Sequence, residues 1–323
     1  MQTSNDATVS KLSAREQASK PGYAIKVFLV VAAIVAALPF FFYPPFLMQV
    51  LCYGIFAASV GLLLNYGGLL SFGHAAFFGV GGYICAHAVK VWDLPTLYGI
   101  LLGVLSALAL GLVIGSLAIR RQGIYFSMVT LAFAQMVYFF CQRAPFTGAE
   151  DGIQSVPRGG LFGLSFSDGS TLYVFVSGIF LLSMIFIYRV VHSPFGEILV
   201  AIRDHEARAT SLGYRTTRFK LVFFVMTAGL AGLAGATKSI VSQLASLNDV
   251  HWLMSGDAVL MAVLGGQSSI FGPVIGAAVV MWIKVNLAWV GPWVTVIQGG
   301  IFVVCVLTFR QGIIGLFQRW IKT

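Results

Sequence analysis

Apolar runs of about twenty residues recur from residue 24 almost to the C-terminus, and no other property of the chain narrows its possible folds as far. Each run is long enough, as a helix, to cross about 30 Å of hydrocarbon. The expectation is an all-α, polytopic transmembrane helical bundle of about 8–10 spans, some short or broken, with both termini cytoplasmic. Charged residues make up 10% of the chain, against about 25% in ordinary globular domains, which excludes a soluble enzyme core. A net charge of +9 would suggest nucleic acid in a soluble protein. Here it reads as the Lys and Arg excess of cytoplasmic loops, so the expected surroundings are the lipid bilayer and no nucleic acid.

A polar tail, residues 1–23, carries Lys11, Arg15 and Lys20. The first span, 24–42, ends without an A-x-A pattern and so reads as an uncleaved helix. Pro44-Pro45 forces a turn before a second span at 46–64. Further spans follow at 74–89, 97–119, 124–141, 172–191 and 219–240, with a last one at 293–309. The membrane domain is 24–310 and a cytoplasmic tail covers 311–323. Gly99, Gly103, Ala107, Gly111 and Gly115 stand at unbroken four-residue spacing, as do Ala228, Gly232 and Ala236. Missing side chains at that spacing let another helix approach closely. The far-side loop, 142–170, holds Glu150 and Asp151 among turn residues, which suit either an arriving partner or plain solvation.

Two glycine-rich breaks stand out. Asn65, Gly67, Gly68, Ser71, Gly73 and His74 form the first; Gly265, Gly266, Gln267 and Gly272 form the second. Irregular backbone at membrane depth survives only where protein or a water-filled cavity covers it, and its free groups can meet a charged solute. These ten residues are therefore the candidate translocation pathway. Placing Arg310, Arg319 and Lys322 on the cytoplasmic side favours two helices meeting at the second break over one long span. Gly68, Phe72-Gly73 and Gly79 echo Gly266, Phe271-Gly272 and Gly276, off by one residue, as a parallel repeat would.

Residues 193–220 are the one long charged interruption between spans. Phe195, Leu199, Ile202, Ala209 and Leu212 recur mostly at three- and four-residue spacing, with Glu197, Asp204 and Arg208 off the stripe. Ser193 and Pro194 suit a helix start, and Gly213 suits the residue just past its end. The spacing predicts one helix of about five turns over 193–213, whose apolar stripe needs a partner or the bilayer interface.

Catalytic constellations are absent: the sequence has no HExxH, GxSxG or Walker A pattern, and His74, His87, His192, His205 and His251 are scattered. Cys52, Cys85, Cys141 and Cys305 lie in or beside apolar runs and read as buried small hydrophobes. Asp257, at the start of a span, reads as a charge suited to a helix N-terminus. With mid-span carboxylates essentially missing, a proton- or sodium-driven carrier is disfavoured, and energy is expected to enter from outside the membrane part.

The stretches LNYGGLLSFGHAAFFGVGGY, GIYFSMVTLAFAQ, TGAEDGI, SPFGEILVAIRDHEARATSLGYRTTRFKLVFF, AGLAGLAGA and MAVLGGQSSIFGPVIGA occur in this order. As an ordered set they resemble the LivM-type permease subunits of branched-chain amino acid ABC importers. The resemblance implies a multi-pass protein of the bacterial inner membrane and not an enzyme. Its implied partners are a LivH-like sister permease, two ABC ATPases and a periplasmic amino-acid-binding protein. No cofactor would be its own, since ATP is bound by the ATPases. It also implies ATPase docking around Glu197, Arg203, Asp204, Glu206 and Gly213, although Glu206-Ala207 stands one residue further from Gly213 than in the general ABC-importer signature. Lys238 sits where an apolar residue is expected. Alternatives are the same machine carrying urea or short amides, and a stand-alone carrier or channel.

Overall fold

The structure, a computed structural model, describes residues 21–161, 164–166, 168–266 and 269–287 and scattered positions from 289 to 303. Gln267, Cys305, most of the last span and nearly all of both tails lie outside the described residues. Eleven α-helices are described. In chain order they are α1 (Pro21–Ala37), α2 (Pro44–Gly67), α3 (His74–Lys90), α4 (Thr96–Ala118), α5 (Ile124–Arg143) and α6 (Gly169–Val191). Then come α7 (Pro194–Asp204), α8 (Glu206–Ser211), α9 (Thr216–Ser242), α10 (Trp252–Gly265) and α11 (Gly272–Asn286). The bundle is thus helical and polytopic as expected: α2, α4, α5, α6 and α9 are each long and apolar enough to cross a membrane.

Burial ranks these helices. The most apolar stretch of α2 is 89% buried inside the chain and that of α9 67%, against 28–39% for α4, α5 and α6. So α2 and α9 form the centre, while Leu101, Leu105 and Leu112 of α4 and Met128, Met136 and Phe139 of α5 face outward, as lipid-facing side chains do.

The two small-residue stripes are one interface. Gly103, Ala107, Gly111 and Gly115 of α4 meet Ala236, Gly232, Ala228 and Phe224 of α9 in antiparallel order. Helix α3 wedges beside them: a Cβ on Gly81 would stand 2.5 Å from the Gly232 carbonyl oxygen, and one on Gly235 1.8 Å from that of Phe78. Only glycine admits backbones this close.

The predicted break at 265–272 is present, so the single long span is excluded. Helices α10 and α11 fold back on each other, with Gly265 against Gly272 and Gly276 against the Met261 carbonyl. Their tip packs on α2, where a Cβ on Gly61 would meet Pro273 at 2.6 Å and one on Gly54 would meet Val274 at 3.3 Å. Both breaks open on a glycine in the left-handed region, Gly68 (φ 63°) and Gly266 (φ 108°), the local counterpart of the sequence echo.

At the opposite end from α7 and α8, short strands β1 (Ile153–Gln154) and β4 (Leu244–Ala245) pair antiparallel, as do β2 (Gly160–Leu161) and β3 (Leu164–Ser165). Lys90 Nζ donates to the Gln154 carbonyl at 2.7 Å and Thr96 Oγ1 to that of Arg158 at 2.8 Å. The far-side loop therefore ties the ends of α3, α4 and α9 together. Glu150 stays exposed and accepts from Gln142 Nε2 at 3.1 Å.

Candidate functional site

Residues 193–213 begin as predicted. Ser193 Oγ accepts from the Gly196 N–H at 3.3 Å, Pro194 takes the first turn, and Gly213 is left-handed at φ 88°. The segment does not, however, continue as one five-turn helix. His205 adopts an extended backbone (φ −151°, ψ 84°) and divides it into α7 and α8. The physical reason lies on either side of His205. Arg203 Nη1 donates to the Asn65 carbonyl at the end of α2, with its stem laid over Gly68, and its guanidinium pairs with Asp204 at 2.8 Å. Glu206 reaches the other way, pairing with Lys220 of α9 at 2.7 Å and accepting from Gln122 Nε2 at 2.9 Å. The bend at His205 lets each side chain reach its own helix.

The apolar stripe is also satisfied differently. Leu199, Ile202 and Ala209 are buried within the chain, and Phe195 stacks on Phe219 with ring centroids 5.6 Å apart. What remains exposed is Leu212, at 72%, and Tyr214 on either side of Gly213, with the charged Arg208 on α8 and Glu197 on α7.

At the first break the backbone groups are taken by the chain's own side chains. Ser127 Oγ donates to the Leu70 carbonyl at 2.6 Å, while the N–H groups of Phe72, Gly73 and Ala75 donate to Thr130, Ser71 and Ser255 hydroxyls at 3.3, 3.1 and 2.8 Å. His74 is fully buried between Ser71 Oγ (3.1 Å) and Thr227 Oγ1 (3.2 Å), a hydrogen-bonded strut joining α3 to α9. Gly67 faces the ring of Phe223. Asn65 Oδ1 is buried and, among the described residues, accepts no hydrogen bond. The first break and residues 193–213, separate in sequence, thus touch directly through Arg203. The second break, at Gly265, Gly266 and Gly272, lies apart on the α10–α11 hairpin.

Two ion pairs escape a reading by local spacing. Lys238 and Asp249 meet at 2.6 Å with both side chains about nine-tenths buried, and Asp249 also accepts from the Ser246 N–H and hydroxyl at 3.3 and 3.2 Å. This explains Lys238 at an apolar position: it latches the end of α9 to the turn before α10. Asp257, expected near a helix start, is instead the sixth residue of α10 and pairs with Lys284 of α11. Cys52, Cys85 and Cys141 are free and buried, as their apolar settings imply.

The family model for the branched-chain amino acid transport system permease component matches residues 44–306. The high-affinity branched-chain amino acid transport system permease protein LivM of Salmonella typhimurium is 26% identical over 300 residues, covering 84% of this chain and 69% of that protein. LivM of Escherichia coli is 26% identical over 299 residues with the same coverage. No solved structure matches the chain. The helices and breaks described above fall almost wholly inside the matched region, and the chain belongs to the family of branched-chain amino acid transport system permease components.

Proposed function

We propose that the chain is the LivM-like membrane subunit of an ATP-binding-cassette importer for branched-chain amino acids in a bacterial inner membrane. It supplies half of the translocation path beside a LivH-like sister permease. Two ATPases dock on α7 and α8, and a periplasmic binding protein delivers cargo to the far-side loop. The observation that carries the coupling role is the double anchorage around His205. An ATPase that shifts the open Leu212–Tyr214 face pulls through Glu206 on Lys220 of α9 and through Arg203 on the end of α2, so one input reaches both central helices. Charge-assisted hydrogen bonds at these joints are stronger than neutral ones and suit transmission of displacement.

The test is reconstitution of the complete complex in proteoliposomes, comparing ATP-dependent uptake of leucine and urea. Leucine uptake that requires the binding protein and both ATPases is expected. Uptake of urea alone would transfer the cargo to short amides, and uptake without ATPases would make the chain a stand-alone carrier. Leu212→Glu should weaken ATPase co-purification; unchanged association would remove the docking face.

A further inference from the structure

Every charged pair at membrane level has to be justified by what its open side faces, because an ion at the bilayer centre is costly against lipid. Asp257 lies near the level of the middle of α9. Ser255, two residues before it, accepts from Ala75 N–H, and the adjoining His74 is bonded to Thr227, near the middle of the membrane-crossing α9. Lys238–Asp249 is closed, with both side chains at most 10% exposed, and Lys220–Glu206 sits at the α8 end with the lysine buried. The Asp257–Lys284 pair differs. Its side chains are 24% and 30% exposed, on a hairpin whose two helices come close at Gly265–Gly272 and at Gly276–Met261.

We propose that Asp257 and Lys284 line the translocation path and meet the ammonium and carboxylate of the amino acid as it passes. This rests on the reading of the chain as an amino-acid permease subunit. A zwitterion carries one charge of each sign, and both lose water on entering a low-dielectric path. A preformed carboxylate–ammonium pair can trade its mutual contact for contacts to the cargo, Asp257 meeting the ammonium and Lys284 the carboxylate, whereas breaking it with nothing in exchange would strand a charge. The path then runs beside the second break, and the first break serves the coupling segment.

The test uses the assembled complex in proteoliposomes and two kinds of readout. In the first, Lys284→Cys is treated with 2-aminoethyl methanethiosulfonate, which forms a mixed disulfide with release of methanesulfinate and restores an ammonium group. Wild type treated alike gives the background from its own cysteines. We expect modification of residue 284 and recovery of an uptake rate that the substitution lowers at least tenfold. Absence of modification in the assembled complex would show that water does not reach the pair and would overturn the proposal, whatever the cargo proves to be. In the second, the charge-exchanged D257K/K284D and the neutral D257N/K284Q are compared with wild type for assembly and leucine uptake. Normal assembly with uptake at least tenfold down is expected for both. Uptake within twofold of wild type in either, or failure of both to assemble, would reduce the pair to a structural clasp and overturn the proposal. Loss of leucine uptake by the wild-type complex, with residue 284 still modified, would instead count against the amino-acid reading itself.

Discussion

Gly235→Ala is the sharpest perturbation the three-helix block allows. The added Cβ would stand 1.8 Å from the Phe78 carbonyl oxygen and 2.6 Å from its carbon, both backbone atoms that no rotamer change can move aside. Carbon and carbonyl oxygen ordinarily meet at about 3.3 Å, so α3 and α9 must part by about 1.5 Å. That separation also loosens the neighbouring Gly81–Gly232 contact and pulls on the His74–Thr227 strut. Overpacking of this kind costs about 3 kcal/mol or more. The control is Gly178→Ala on α6, where nothing lies within 4 Å of the new Cβ. There the substitution removes a helix-interior glycine and should stabilise by about 0.5–1 kcal/mol. A thiol-reactive dye reads both variants in detergent in a Cys305→Ser background, since Cys52, Cys85 and Cys141 are buried and become reactive on unfolding. The midpoint of Gly235→Ala should fall by several degrees and that of Gly178→Ala should hold or rise. A Gly235→Ala midpoint equal to or above that of Gly178→Ala would refute the close-packing argument.

Lys238→Met strands the buried Asp249 carboxylate and should cost about 3–5 kcal/mol, read as an earlier thermal midpoint in the same dye assay. Lys238→Met with Asp249→Leu should recover only part of that loss, because the Ser246 N–H and hydroxyl then lose their acceptor. Glu206→Gln leaves Lys220 buried without its carboxylate, and Arg203→Ala empties the space over Gly68. In reconstituted complexes each should lower uptake more than ATP hydrolysis; equal loss of both would point to folding rather than transmission. Gly213→Ala meets no neighbour within 4 Å but must hold φ 88°, so a cost of about 1 kcal/mol is expected, visible as a slightly lower midpoint without loss of expression.

The long helices are legible because hydrocarbon leaves the backbone few choices: spans at 97–119 and 124–141 are expected, and Thr96–Ala118 and Ile124–Arg143 are observed. The small-residue stripes on α4 and α9 are legible as close-packing faces. That they face each other is not, since a missing side chain states that something approaches without stating what. The division at His205 leaves no mark either. Neither proline nor glycine stands there, and the turn is imposed by anchors at Asn65 and Lys220 on other helices. The ion pairs are hidden for the same reason: Asp257 and Lys284 are 27 residues apart on separate helices, and each alone resembles an ordinary terminal charge.

Helix α2 is where residues 193–213 and the second break come together. Near its end the Asn65 carbonyl and Gly68 receive Arg203; at Gly61 and Gly54 the same helix carries the hairpin tip through Pro273 and Val274. Six residues separate Gly61 from Gly67, about 9 Å of continuous helix at 1.5 Å per residue. An α-helix this deeply buried moves as a body more readily than it deforms, because close-packed interiors shift between packings instead of stretching. Under the proposed coupling role, displacement at Arg203 would reach the hairpin through α2 itself. The glycines that look like one class in the sequence then fall into two. Those on α3, α4 and α9 hold three helices together, while those on α10 and α11 join the two arms of one hairpin whose tip rests on α2.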